Sequence, residues 1–145
     1  MNVIRRIGTI VAVTVTAVGM LAAPAAAASP SGPHTVTILR PTVPADTPTW
    51  VTVWWRTDQR ICDARVVMSH NPRVTVTYPS GRSYTSFAKD STLDRGERDY
   101  TAIKVTAHYP RGSWALLRGR IHYNDCGPLA QPLLKDVRFL LLVRR

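Results

Sequence analysis

The sequence predicts an all-β domain, an antiparallel sandwich of about seven or eight strands, carried behind an N-terminal leader. Three observations lead there. Beyond residue 33 the chain alternates short runs rich in Val, Thr, Trp and Tyr with clusters of Pro, Gly, Asn and Ser, at the spacing of packed antiparallel strands. Within the runs, apolar and polar residues alternate with period two. The 145 residues hold only two cysteines, Cys62 and Cys126, which allow one intramolecular pairing.

Residues 1–28 read as a signal peptide. Residues 1–6 are short and basic through Arg5 and Arg6, residues 7–21 are apolar, and residues 22–28 are small and broken by Pro24. Cleavage is expected after Ala26, Ala27 or Ala28, by the Sec route, because Arg5-Arg6 is followed by Ile7-Gly8-Thr9 and lacks the fuller twin-arginine pattern. The apolar core of roughly 15 residues falls short of the ~20 that span a bilayer. The expected product is therefore secreted, with no transmembrane segment in the mature chain. Outside the cell the two cysteines are expected to form a disulfide, closing a loop of about 65 residues worth roughly 4 kcal/mol.

Residues 29–33 form a Pro/Ser/Gly linker, expected to be mobile, and residues 34–145 the domain. Residues 34–40 are the first strand. Residues 41–48 contain Pro41, Pro44 and Pro48 and are expected to form no regular element. Residues 49–57 (TWVTVWWRT) are a strong strand, and residues 63–69 follow Cys62 closely. Asn71-Pro72 marks a turn before residues 73–78. Pro79-Ser80-Gly81-Arg82 predicts a hairpin turn, with residues 83–88 as its weaker return strand. A charged loop over 89–98 precedes a long strand over 99–109, and a turn at Pro110-Arg111-Gly112 precedes another over 114–123. Residues 127–132 are a Gly/Pro loop, and residues 136–143 the last strand.

Over most of residues 36–143 this pattern resembles an immunoglobulin-like sandwich. Cys62 follows the second strand and Cys126 the next-to-last, two strands that face each other across the sandwich in that family. Both cysteines lie just past strand ends, so the bridge is expected to pin one end of the sandwich. Tyr123 stands three residues before Cys126, where the family's tyrosine corner needs two. The chain is similar to small secreted immunoglobulin-like proteins of bacteria, and its Arg- and Ala-rich composition is of actinobacterial type.

Alternation sorts the strands into faces. Val51, Val53 and Trp55 are expected inside and Trp50, Thr52, Trp54 and Arg56 outside. Val74, Val76, Tyr78, Ile103, Val105, Ala107, Tyr109, Ala115, Leu117, Gly119, Ile121, Val137, Phe139 and Leu141 point in. Lys104, Thr106, His108, Leu116, Arg118, Arg120, His122, Arg138, Leu140 and Leu142 point out.

The whole chain carries +10, with 16 Arg against 3 Lys. Without the leader, seventeen basic and nine acidic residues leave +8, a balance that favours anionic partners. If the third strand lies beside the last two, Arg65, Arg118, Arg120 and Arg138 share one outer face and ask for an anion. Trp50 and Trp54, about 13 Å apart on one strand, offer a surface on which sugar rings could stack. These six residues are the candidate ligand-binding set.

The sequence holds no G-x-S-x-G, H-E-x-x-H or Gly-rich phosphate loop. Ser69 and His70 are neighbours on a strand and point apart. Glu97 is the single glutamate, so paired-carboxylate chemistry would fall to Asp58, Asp63 and Asp125, more commonly turn formers. The acidic loop over 90–99 contains Arg95 and Arg98 and lacks EF-hand spacing. His70, His108 and His122 lack zinc spacing, and no RNP-type motif points to nucleic acid. No catalytic residue, metal or cofactor is expected. The expected function is a secreted non-catalytic binding or structural module for an anionic envelope polymer, a polysaccharide or a protein. The alternatives are a secreted inhibitor of an extracellular hydrolase, acting through Asn71-Pro72 or residues 127–132, and a small hydrolase built on the three aspartates.

Overall fold

The computed structural model describes residues 32–39 and 41–144; the leader and its cleavage site lie outside them. Eight strands run β1 (His34–Leu39), β2 (Thr42–Pro44), β3 (Thr49–Arg56), β4 (Cys62–Met68), β5 (Val74–Thr77), β6 (Arg98–Ala107), β7 (Trp114–Asn124) and β8 (Pro132–Arg144), with one 3-10 turn over Pro79–Gly81. They form two four-stranded sheets, β1-β3-β6-β5 and β2-β8-β7-β4. The domain is an all-β sandwich, as the alternation predicts.

The inner faces carry the residues that alternation places there. Val51, Val53, Trp55, Ile103, Val105 and Ala107 from the first sheet meet Ala115, Leu117, Ile121, Val137, Phe139 and Leu141 from the second, all buried. Trp55 joins the layers. Its ring packs edge-on against Phe139 of β8 at 6.1 Å and Phe87 at 6.4 Å, and its indole N–H donates to the buried Thr101 hydroxyl at 2.9 Å. That bond satisfies a polar group that would otherwise be costly at zero exposure.

Three expectations about the chain path are corrected. Residues 41–48 do contain a strand: β2 pairs in parallel with β8. Pro44 is tolerated because β2 is an edge strand whose neighbouring ladder bonds come from Leu142 N–H to Pro41 O and from Ala45 N–H to Arg144 O. The segment 79–88 is not a hairpin. Val74–Thr77 pairs with β6 instead, and residues 83–88 cross to the other sheet, where Thr85 bridges Val66. The last strand starts at Pro132 rather than 136, because β7 and β8 pair continuously from Trp114–Leu142 to Asn124–Pro132. Residues 29–31 of the expected linker lie outside the described residues; Gly32 and Pro33 are buried, and Gly32 N–H donates to Asp58 at 2.9 Å. A Cβ on Gly32 would stand 2.5 Å from the Tyr123 hydroxyl, so glycine allows this close approach.

The crossing segment closes one sheet edge. On the free side of β4, Ala64 N–H donates to Ser91 O, Val66 N–H to Thr85 O and Met68 N–H to the Tyr78 hydroxyl at 2.7 Å. An unpaired edge would invite strand addition; here its donors are already used.

Cys62 and Cys126 form the expected disulfide, with Cα atoms 5.2 Å apart. It pins one end of the sandwich. It does not cross between sheets, however: Cys62 opens β4, Cys126 follows β7, and these strands are neighbours, with Cys62 opposite Asn124. A register shift between Cys62 and Arg65, with Asp63 in the left-handed region, returns Ala64 to the core and Arg65 to the outer face.

Candidate functional site

The outer face of the second sheet is built in rows across β7 and β8. Trp114 stands opposite Leu142, Leu116 opposite Leu140, Arg118 opposite Arg138, Arg120 opposite Asp136 and His122 opposite Leu134. On the far side of β7, Val67 stands opposite Arg120 and Arg65 opposite His122. The four arginines of the candidate set therefore do lie on one face.

Their side chains are used differently. Arg120 Nε lies 3.2 Å from Asp136 Oδ1. Arg65 leans toward the β4 edge, its guanidinium 5.2 Å from the centre of the Tyr84 ring, with Arg82 at 5.8 Å from the same ring. Arg118 and Arg138 are exposed and directly opposed on adjacent strands, and neither takes part in an ion pair among the described residues. Like charges so placed cost a few tenths to about 1 kcal/mol. A shallow depression over this row is lined by Ser69, His70, Arg118, Arg120, Asp136 and Arg138.

Beside the arginine row lies an apolar block. Trp114 is 60% exposed and Leu140 54%, while Leu116 and Leu142 are half-buried. Alternation places the three leucines outward, as found. Trp114 is the residue that the sequence reading misses, although its parity with Leu116 signals the same face.

The outer face of the first sheet differs in chemistry. Trp50 stands opposite Lys104, Thr52 opposite Ala102 and Trp54 opposite Tyr100. The Trp54 and Tyr100 rings meet at 5.1 Å with a 49° tilt, and the Lys104 ammonium sits 5.0 Å over the Trp50 ring. Thr75 and Thr77 continue this face on β5, opposite Thr106 and Lys104. Trp50 and Trp54 thus point outward as expected. Tyr100 joins them, a residue that alternation leaves unassigned because it falls at the start of its predicted strand.

The aspartates near the disulfide act as local hydrogen-bond acceptors. Asp63 accepts from the Asn124 amide at 2.7 Å, Asp125 from the backbone N–H of Gly127 and Gln131, and Asp58 from Gly32. Burial, and secondarily the Asp58 charge, raises the Tyr123 phenol above its ordinary value. In the 90–99 loop, Asp94 Oδ1 pairs with Arg60 Nε at 3.1 Å, and the buried Asp99 accepts from Lys89 and Tyr100 N–H. These carboxylates point to different partners. Among the described residues no group of three His, Cys, Asp or Glu side chains is gathered as metal ligands, and no helix is long and apolar enough to cross a membrane.

Compared with protein-family models and with curated proteins, the chain matches none.

Proposed function

We propose that this chain is a secreted, non-catalytic, immunoglobulin-like module that binds an anionic partner of the cell envelope through the outer face of β2-β8-β7-β4. The observation that carries the reading is the Arg118–Arg138 pair, two exposed arginines directly opposed on adjacent strands and in no ion pair among the described residues. A planar fork on each matches phosphate or carboxylate oxygens, and an anion across the pair relieves the repulsion. The disulfide supports an oxidising compartment. The strand order supports the immunoglobulin-like reading: with β2 as an extra edge strand, β1-β3-β6-β5 and β8-β7-β4 follow the A-B-E-D and G-F-C arrangement. Binding is tested on beads carrying a poly(glycerol phosphate) chain. The wild-type protein is expected to elute with rising salt, and Arg118→Ala/Arg138→Ala to lose at least about tenfold in affinity, some 1.4 kcal/mol. Arg60→Ala, which removes a charge engaged elsewhere by Asp94, serves as the control. Equal retention of both variants refutes the assignment of this face.

A second reading is favoured by the opposite face. Trp50, Trp54 and Tyr100 with the hydroxyls of Thr52, Thr75, Thr77 and Thr106 offer stacking surface and neutral hydrogen-bonding groups. That chemistry suits the pyranose rings of a polysaccharide. Both faces serve one binding module with two kinds of contact.

A further inference from the structure

We propose that the second sheet docks face-on against an anionic lipid bilayer, with Trp114, Leu116, Leu140 and Leu142 seated in the interface and arginines on either side at the phosphates. The proposal rests on reading the Arg118–Arg138 face as an anion site and names the carrier of the anion. The pattern across β7 and β8 supports it. Four of the outward apolar residues gather, Trp114 opposite Leu142 and Leu116 opposite Leu140, in two adjacent rows that make a contiguous block, while Leu134 and Val67 stand on the far side of the Arg118–Arg138 row. The next row on one side is Arg118–Arg138, and on the other side Arg144 continues the outward parity of Leu140 and Leu142 and is exposed. Successive outward rows are about 7 Å apart. The block is therefore bracketed by guanidinium groups within one row of it.

A soluble polyanion would engage only the arginines and leave the apolar block in water. A symmetric second copy would cover the block but bring the basic rows of Arg118, Arg138 and Arg144 against basic rows of the other copy. The single acidic residue in the outward rows of β7 and β8, Asp136, is already engaged by Arg120. A bilayer with anionic headgroups meets both parts at once. Trp favours the membrane–water interface, where its ring is half in hydrocarbon and its N–H finds a partner. Amphipathic surfaces of this kind settle at the boundary between headgroups and acyl chains, helped by attraction to anionic lipid.

The test is co-sedimentation of the protein lacking residues 1–28 with vesicles of phosphatidylglycerol and phosphatidylcholine, and with phosphatidylcholine alone, alongside soluble poly(glycerol phosphate). Binding is expected to the anionic vesicles, at least tenfold weaker to phosphatidylcholine. Trp114→Ala/Leu140→Ala changes two exposed side chains and is expected to lose vesicle binding at least tenfold while retaining the soluble polymer. The difference in emission between wild type and Trp114→Phe should shift to the blue on adding anionic vesicles. If that apolar variant binds vesicles as the wild type does, insertion is refuted. Absent vesicle binding with intact polymer binding overturns the lipid proposal alone and leaves a soluble or protein-borne anion. Polymer binding unchanged in Arg118→Ala/Arg138→Ala overturns the anion reading beneath it.

Discussion

Gly119 lies between Arg118 and Arg120, and replacing it with alanine tests the geometry that sets the basic face. Met68 of β4 stands opposite Gly119 of β7. A Cβ at Gly119 would lie 2.7 Å from the Val67 carbonyl oxygen and 2.8 Å from Met68 Sδ. The sulfur is at the end of a flexible side chain and can move. The carbonyl belongs to the backbone of the adjacent strand and cannot, unless β4 and β7 separate. Overpacking of this kind costs about 1–3 kcal/mol. Restricting the unfolded chain returns roughly 0.4–1 kcal/mol, since Gly119 needs no left-handed backbone. The net expectation for Gly119→Ala is a loss of about 1–2 kcal/mol, a drop in Tm of roughly 3–10 °C for a domain of this size. Urea unfolding and thermal melts followed by circular dichroism measure it. Met68→Ala in the same chain should not restore stability, because the carbonyl contact remains. A Gly119→Ala protein as stable as wild type, or more stable, would mean that β4 does not approach β7 in this register. The placement of Arg65 and Val67 beside His122 and Arg120 would then fall with it.

Two further outcomes follow from the structure. Cys62→Ala/Cys126→Ala should lose about 4 kcal/mol by urea unfolding, since the bridge closes a span of 64 residues; a loss below about 1 kcal/mol would show that the end of the sandwich is held without it. Trp54→Ala/Tyr100→Ala should reduce retardation of the protein in gels containing a neutral β-1,4-linked glucan. That effect should be insensitive to salt, and equal mobility with and without the glucan for the wild-type protein would remove the stacking reading.

Much of the candidate site is legible in the sequence, because side-chain direction in a strand is a local property. Alternation alone separates Trp55 from Trp54 and Arg118 from Leu117, and burial follows that division. The same rule applied one residue earlier finds Trp114. What alternation cannot reveal is how the arginines divide. Arg120 and Asp136 are sixteen residues apart in sequence and meet only because β7 and β8 pair. Arg65 turns to Tyr84 because the segment after the 3-10 turn crosses to β4, a path that turn composition misassigns as a hairpin.

The sequence by itself determined an all-β domain, its inward and outward residues, and a single possible cysteine pairing, since strand alternation and cysteine count need no knowledge of neighbours. The tertiary structure decided which strands touch. It placed the proline-bearing β2 on the edge beside β8, put the disulfide within one sheet, and left Arg118 and Arg138 opposed and outside any ion pair among the described residues, with Asp136 in the next row taken by Arg120 and with Trp114 and the leucines alongside. Strand pairing joins residues far apart in the chain, and its register follows from packing the whole core.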